Sequence, residues 1–389
     1  MPQPPMLATD VIPDILSLLP VKTLVRFRCV CRQWNSLIRD PMFIELHLNR
    51  TMSDIEETRR WRFLLPEAHT CPLRSFRSLN CKNPDSVDDQ DFILSVDYPR
   101  HKRTYDDRHV RVVGSCNGLV CLLHKLNHYI LWNPSTGEFR DDLATIVLPP
   151  GVTNPISSCF SHGFGYDSTM DDYKIVRITN FIYPSTKVHV LNLGSNSWRV
   201  FELKDPILPY HDSMFVSGSL HWLSGKTTDV HTERGILAFS LAEEKFREET
   251  LLPTFMTMEA SRCVTELRVV GEKLSALAVH SKGQGTCDIE IWVMLEYGVK
   301  GSWRKKVTLL FFDLNFVSWG YLFDPLYFLR NGETLVMLNE DIMIYDPEEN
   351  SYRKVYSCYR FGGQTASLYI ETLVSPFRVP SAIKTIKRK

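Results

Sequence analysis

The stretch Trp132-Asn-Pro-Ser-Thr-Gly-Glu-Phe139 aligns without a gap with Tyr345-Asp-Pro-Glu-Glu-Asn-Ser-Tyr352. Two more stretches, Leu191-Asn-Leu-Gly-Ser-Asn-Ser-Trp198 and Phe239-Ser-Leu-Ala-Glu-Glu-Lys-Phe246, fit the same frame, and a looser copy ends at Trp303. In each copy an apolar run leads into a polar turn, and an aromatic residue then opens the return strand. The repeated unit is therefore a β-hairpin.

The closing aromatic residues of these hairpins are about one propeller blade apart. They are Phe139, Trp198, Phe246, Trp303 and Tyr352, with steps of 59, 48, 57 and 49 residues. Repeats near 50 residues are typical of kelch-type blades of four strands. A sixth, weaker copy lies around residues 62–65 and 75–76, and the alternating stretch 367–374 is placed to close the ring against it. The spacing predicts a propeller of about six blades, with a two-sheet β-sandwich as the alternative.

The turn of each copy also has a recurring residue type. Two positions before the closing aromatic lies Gly137, Asn196, Gly301 or Asn350, whereas Glu244 is the exception in the fourth copy. Because Gly and Asn tolerate a left-handed backbone, this column predicts left-handed turn positions.

The first 50 residues have a different, helical periodicity. Apolar residues recur at helical spacing in three groups: Val11, Ile15, Leu18 and Leu19; then Leu24, Phe27 and Val30; then Trp34, Leu37 and Ile38. We expect three short helices, with Asp10 as the first N-cap, and hence an α+β multidomain chain. A segment of this size rarely buries all its apolar side chains, so Ile12, Leu16 and Leu18 are expected to face outward as an interface. The alternative is that the helices only pack on the C-terminal domain.

The helical segment resembles an F-box of the plant type. The resemblance rests on Ile15-Leu16 before Leu19-Pro20, on Lys22-Thr-Leu24, on Arg26-Phe-Arg-Cys-Val-Cys-Arg-Gln-Trp34 and on Asp40-Pro-Met-Phe43. Two departures are Leu7-Ala8, where the family has Leu-Pro, and Pro13 in the first helix. The family's F-box binds a Skp-type adaptor and, through it, the cullin and RING subunits of a ubiquitin ligase.

That resemblance implies a set of adaptor-binding residues, which contact the adaptor or hold the helices that do. They are Leu7, Ile12, Ile15, Leu16, Leu19, Pro20, Leu24, Val30, Cys31 and Trp34. Lys22, Arg26, Arg28 and Arg32 make the same region basic, which favours an acidic partner.

The rest of the chain resembles the F-box-associated interaction domain of plant F-box proteins. Its motifs are Gly114-Ser-Cys-Asn-Gly-Leu-Val-Cys121, Leu131-Trp-Asn-Pro-Ser-Thr-Gly137, Gly163-Phe-Gly-Tyr-Asp167, Asp172-Tyr-Lys-Ile-Val176 and Ser197-Trp198. In that family the domain recruits the protein to be ubiquitinated. The resemblance implies an F-box at 1–48, a linker at 49–60, a target-binding domain at 61–376 and a basic tail at 377–389.

Target recognition in such a domain is expected from loops on one face of the ring, since rigid blades support variable loops. The candidate loops are 79–91, 150–160, 181–185, 205–213, 225–235 and 296–301. Their candidate contact residues are Tyr183, Tyr210 and Tyr297, because tyrosine is frequent at interface hot spots.

Composition and motifs argue against other functions. Lys plus Arg and Asp plus Glu both number 45, so the net charge is zero and nucleic acid is not an expected partner. No apolar run suits a membrane span, and no export signal is evident, so we expect the cytoplasm or the nucleus. The ten cysteines include no Cys-x-x-Cys pair, and Gly114-Ser-Cys-Asn-Gly118 is expected to be a β-turn rather than a nucleophile elbow.

The sequence therefore predicts a non-catalytic receptor with no metal, no cofactor and no catalytic residue, which binds an unidentified target protein. The alternative is a propeller that binds sugar or acts as an oxidase, with the N-terminal helices in a structural role.

Overall fold

The computed structural model describes most of the chain. The described residues are 11–53, 60–66, 75–80, 93–97, 110–124, 127–146, 160–182, 185–203, 209–227, 232–247, 252, 262–270, 272–283, 286–311, 323–329, 331–338, 341–357 and 366–377.

The N-terminal segment forms four helices rather than the three expected. They are α1 (Ile12–Ser17), α2 (Val21–Phe27), α3 (Arg32–Ile38) and α4 (Pro41–Ser53). The sequence pattern stopped at Asp40-Pro41, but proline is tolerated in a first helical turn and here opens the longest helix. Val11, not Asp10, is the N-cap of α1, and Asp10 lies outside the described residues. No helix within the described residues is long and apolar enough to span a membrane.

The remaining described strands form six antiparallel sheets of four strands each, which we number as blades 1–6. Blade 1 contains β1 (Trp61–Pro66), β2 (Ser75–Asn80), β3 (Ile93–Asp97) and β24 (Ser367–Ile370). Blade 2 contains β4 (Val110–Cys116), β5 (Leu119–His124), β6 (His128–Trp132) and β7 (Phe139–Arg140). Blade 3 contains β8 (Phe160–Asp167), β9 (Asp172–Ile182), β10 (Ser185–Asn192) and β11 (Ser197–Leu203).

Blade 4 contains β12 (Pro209–Val216), β13 (Ser219–Thr227), β14 (Thr232–Ser240) and β15 (Lys245–Arg247). Blade 5 contains β16 (Arg262–Val270), β17 (Lys273–Gly283), β18 (Thr286–Met294) and β19 (Trp303–Phe311), with a 3₁₀ turn at Lys300–Ser302. Blade 6 contains β20 (Phe323–Phe328), β21 (Thr334–Leu338), β22 (Asp341–Asp346) and β23 (Ser351–Ser357). The six-bladed propeller is confirmed, and the alternative of a two-sheet sandwich is wrong.

The ring is closed by a strand from the far end of the chain, as the alternating stretch predicted. β24 pairs antiparallel with β1, with Trp61 opposite Ile370 and Leu64 opposite Ser367. β24, β4, β8, β12, β16 and β20 are the inner strands, and successive inner strands from β24 through β20 lie against one another. Blade 1 therefore has an inner strand from the C-terminal region and three strands from the N-terminal side.

The predicted turn column is correct in part. Gly137, Asn196 and Asn350 have positive φ, and Glu244, the expected exception, also adopts φ 52°. The prediction for Gly301 is wrong, because the left-handed residue of that longer turn is Gly298 at φ 80°. This copy, from Trp292 to Trp303, has four more residues than the stretch from Trp132 to Phe139, and together with the 3₁₀ turn they move the reversal of the chain towards β18.

Candidate functional site

The four helices enclose a small core of their own. Buried side chains from all four meet there: Leu16, Val21, Leu24, Ile38 and Phe43. They are joined by Leu373, from the segment that follows β24, so part of the core of the helical unit is supplied by the C-terminal region.

Outside this core the helices expose several large apolar side chains. Ile15 is 45% exposed, Leu18 63%, Val30 60% and Met42 81%, and Val11 is also exposed. We call these five residues the helical apolar surface. Exposed apolar groups of this size on one small unit are typical of a protein interface.

The structure divides the predicted adaptor-binding residues into three groups. Ile15, Pro20, Val30 and Cys31 are exposed, whereas Ile12, Leu19 and Trp34 are half-buried. Leu16 and Leu24 are buried, and Leu7 lies outside the described residues.

The expectation that Leu16 faces outward is wrong. Leu16 is 3% exposed because α1 lies against α4, which the sequence pattern did not predict, and turns this side chain into the helical core. Leu16 and Leu24 thus hold the helices, while Ile15, Val30 and the newly found Met42 present apolar area to a partner. Met42 was missed because it lies within α4.

The connection between α2 and α3 is ordered by sulfur and aromatic contacts. The Sγ atom of Cys31 accepts a hydrogen bond from the backbone N–H of Trp34 at 3.4 Å, which caps α3. The Trp34 ring lies 5.2 Å from the ring of Phe27. This packing fixes the turn that exposes Val30.

One of the four basic residues in this region is committed to the propeller. Arg28 lies 3.7 Å from the carboxylate of Glu138, in the turn between β6 and β7. Lys22, Arg26 and Arg32 are exposed and give the helical surface positive charge.

The helical unit sits on one face of the ring. In each blade of antiparallel strands, the first and third connections leave at one end and the second connection at the other. Leu48 of α4 packs with Cys116 at the end of β4, with Leu193 in the turn between β10 and β11, and with Val374. We call this end the helix-side face and the opposite end the open face.

The six predicted target loops do not share one face, so that expectation is wrong. The strand ends that flank 150–160, 181–185, 205–213 and 225–235 lie at the open face, whereas those that flank 79–91 and 296–301 lie at the helix-side face. Within these ranges, residues 81–91, 150–159, 183–184, 205–208 and 228–231 lie outside the described residues. Much of 205–213 and 225–235 is strand, because β12, β13 and β14 extend into these ranges.

The three predicted target-binding tyrosines differ in their positions in the fold. Tyr183 lies outside the described residues, and Tyr210 belongs to β12 rather than to a loop, with its side chain not described. Tyr297 is 39% exposed on the helix-side face, and its hydroxyl lies 2.9 Å from Nε2 of His221 in the neighbouring blade. The Tyr297 ring thus joins blade 5 to blade 4, whereas a target-binding role for these tyrosines stays a prediction.

A polar cluster near the open-face ends of three inner strands was missed by the sequence analysis. Arg111 of β4 donates to the carboxylate of Asp212 in β12 and to Nδ1 of His162 in β8. The backbone N–H of His162 donates to Asp212 Oδ1 at 2.9 Å. The three positions are 51 and 50 residues apart, so the blade period was the signal that could have found them.

The charges in this cluster compensate one another. Burial, and then the positive charge of Arg111, lower the pKa of His162 to about 4, so its ring is neutral at pH 7. Burial would raise the pKa of Asp212, but Arg111 and His162 outweigh it and hold that pKa below its usual value. A neutralised Arg–Asp pair with a neutral imidazole is suited to tying the inner strands together.

The stretch Gly114-Ser-Cys-Asn-Gly118, which was compared with a nucleophile elbow, lies at a β-turn, and its cysteine is buried. Asn117 and Gly118 form a tight turn between β4 and β5, with φ 51° and 83°. Cys116 and Cys121 are buried, and burial raises the pKa of both thiols, which makes them poor nucleophiles. His124 and His128 are four residues apart and their rings lie 6.0 Å apart, but no group of three metal-ligating residues occurs among the described residues.

Comparison with known proteins matches both parts of the chain. Residues 77–376 match the F-box associated beta propeller domain, and residues 5–46 match the F-box domain. The F-box protein CPR1 of Arabidopsis thaliana is 27% identical over 94% of this chain and 88% of its own length. An F-box/kelch-repeat protein of the same plant is 25% identical over 95% of this chain and 96% of its own length.

Among solved structures, an oligogalacturonate lyase in complex with manganese covers 80% of this chain and 84% of that protein. Its TM-score is 0.39 and its identity 9%, so this likeness supports no transfer of activity.

Proposed function

Because this chain belongs to the family of F-box proteins with an F-box-associated beta-propeller domain, we propose that it is the substrate-recognition subunit of an SCF (Skp–cullin–F-box) ubiquitin ligase. Its helices bind a Skp-type adaptor, and its propeller binds a target protein and presents it for ubiquitination and degradation. F-box proteins are in general non-catalytic subunits, and the proposed role needs no chemistry from this chain.

The helical apolar surface is the observation that carries this proposal. The helices already have a core, to which Leu24 and Ile38 contribute with no exposed surface, so the exposed side chains are not required for their folding. Leu18 and Val30 instead offer apolar area to a second protein, with exposed Lys22 and Arg26 near them in the chain. This combination suits an adaptor surface that is apolar at its centre and acidic around it.

We further propose that the target binds the open face. The helical unit covers part of the helix-side face through α4, and an adaptor bound to the helices adds bulk on that side. The open face has the inner-strand ends near Arg111 and Asp212 and the strand ends that flank four of the six predicted target loops. Binding there leaves the adaptor and the target on opposite sides of the ring.

Co-purification with a Skp-type adaptor tests the first part. Leu18→Asp places an unpaired carboxylate on the helical apolar surface and is expected to weaken adaptor binding by about 2 kcal/mol or more, or roughly 30-fold. Val200→Asp is the matched control, because Val200 is also an exposed apolar residue but lies on β11. Equal adaptor binding by wild type and a folded Leu18→Asp protein would refute the assignment.

The target is best sought with the variant that does not bind the adaptor. A proximity-labelling enzyme fused to the Leu18→Asp protein is expected to mark the target without causing its degradation. Proteins that are labelled by this variant and that accumulate when the wild-type gene is removed are the expected targets. If none of these proteins binds the purified full-length Leu18→Asp protein, recognition does not lie in this chain.

A further inference from the structure

We propose that Arg60 and residues 371–374 are positioning residues, which hold the helical unit in one orientation on the propeller. We call them the C-terminal clasp. The inference rests on the proposed function, since a fixed orientation sets where ubiquitin is delivered relative to the open face.

The clasp is first of all anchored to blade 2. Asn133 Nδ2 donates to the carbonyl oxygens of Thr372 at 3.0 Å and Val374 at 2.7 Å. Thr372 Oγ1 donates to the carbonyl oxygen of Asn117 at 2.8 Å. Asn133 and Thr372 are both fully buried, so these bonds are shielded from competing water.

The same segment is also part of the helical unit. Leu373 is 1% exposed and packs in the helical core with Leu24 and Phe43. The next residue, Val374, is fully buried and belongs to the cluster that contains Leu48 of α4. Consecutive residues of one short segment therefore pack in the helical core and in the core of the propeller.

Arg60 makes the second connection between the two units. It lies next to the first residue of β1, and its carbonyl oxygen accepts a hydrogen bond from the N–H of Glu371 at 2.9 Å. Its guanidinium donates to Thr51 Oγ1 on α4 and to the carbonyl oxygens of Leu18 and Leu19 at 3.2 and 3.4 Å. One side chain thus joins α4 and the end of α1 to the strand pair that closes the ring.

These contacts make the orientation of the helices depend on closure of the ring. The clasp directly follows β24, so the strand that completes blade 1 also delivers Leu373 to the helical core. The buried side chain of Leu373 and the planar guanidinium of Arg60 restrict movement of the helical unit in different directions. The helical unit therefore behaves as a rigid extension of the helix-side face rather than as a module on a flexible tether.

The orientation is measurable by fluorescence transfer between dyes at positions 45 and 349, exposed in α4 and in the turn before β23. The wild-type protein is expected to give one narrow distribution of dye-to-dye distances. Arg60→Ala and Leu373→Ala are each expected to give a broad distribution. Arg39→Ala is the matched control, because Nε of Arg39 donates to Asn35 Oδ1 in α3, a contact within the helical unit. A narrow distance in both clasp variants, or a broad one in the wild type, would overturn the proposal.

The consequence for the ligase is tested by self-ubiquitination in a reconstituted complex, with the modified lysines identified by mass spectrometry. The wild type is expected to be modified at few propeller lysines, and Arg60→Ala at many more, while adaptor binding is retained. An unchanged set of lysines in the variant would contradict the clasp. Failure of the wild type to bind the adaptor would instead refute the proposed function, and the distance measurement would still decide the orientation.

Arg60→Ala removes no side chain from the helical core, so it keeps the test decisive if Leu373→Ala does not fold. Leu326→Ala, which creates a cavity in the core of blade 6, controls for a general loss of stability. We expect this variant to keep the narrow distance between the two dyes.

Discussion

The ammonium group of the buried Lys174 lies 2.8 Å from the carboxylate of Glu244, which is partly buried, and this pair joins blade 3 to blade 4. Lys174 also lies 2.8 Å from Asp167 Oδ2, and its Nζ donates to the carbonyl oxygen of Leu241 at 2.6 Å. Glu244 holds its left-handed backbone while making this contact, which explains why a glutamate occupies a turn position where Gly or Asn was expected.

Removing that ammonium group is expected to destabilise the propeller strongly. Lys174→Met leaves the buried carboxylate of Asp167 without its cation, at a cost of about 3 kcal/mol or more in the free energy of unfolding. Lys354→Met is the matched control, because Lys354 is exposed and pairs at 2.8 Å with Asp341, which is itself only partly buried; its cost is expected to stay below about 1 kcal/mol. Urea unfolding of both variants checks this, and similar losses would contradict it.

Gly163 of β8 is expected to tolerate no side chain. A Cβ atom there would lie 2.3 Å from Ser213 Oγ and 2.7 Å from Leu220 Cδ1, which belong to the neighbouring blade 4. Gly163→Ala is therefore expected to lower the free energy of unfolding by about 1–3 kcal/mol through overpacking. Gly301→Ala, which would meet nothing within 4 Å, should change it little, and thermal unfolding of the pair measures the difference.

Stability is expected to fall as the pH drops from 7 to 5. Burial lowers the pKa of His47, His162 and His221 to about 4, against about 6.5 in the unfolded chain. The unfolded state therefore takes up protons below about pH 6.5 that the folded state refuses until about pH 4, and each histidine costs up to about 3 kcal/mol across that window.

Urea midpoints at pH 7 and pH 5 check this dependence. The wild-type midpoint should be lower at pH 5, and His221→Gln should show a smaller difference between the two pH values, because it removes one of the histidines whose pKa burial lowers. A midpoint that does not move between these pH values would show that these histidines are not held neutral by burial.

Removal of β24 is expected to open the ring. A chain ending at residue 365 loses the inner strand of blade 1 and leaves β1 with an unpaired edge. A chain ending at residue 377 keeps β24 and the clasp and serves as the control. The shorter chain should melt at lower temperature and associate through its free edge, and a monomer with unchanged melting would contradict closure by β24.

Local patterns were sufficient for the propeller blades and for their number, although not for the fourth helix. The hairpin frame from Trp132 to Phe139 depends on turn residues and on one closing aromatic, all within eight positions, so each copy is recognisable on its own. Regular spacing of the copies then predicts the blades, and the alternation of 367–374 predicts the closing strand. The helical pattern also predicted that Leu18 is exposed, whereas Ile15 and Val30 were selected through the resemblance to an F-box.

Only the tertiary structure decided which side of each element is covered and by what. Leu16 is buried because α1 and α4 pack together around a core that includes Leu373, a residue from the other end of the chain. The loops divide between two faces because antiparallel strands reverse direction at every connection, whatever residues the loops contain. The sequence determined the blades and the first three helices by short-range periodicity. Burial, faces and the clasp follow from tertiary contacts, such as that between the helical core and Leu373, which leave no local pattern.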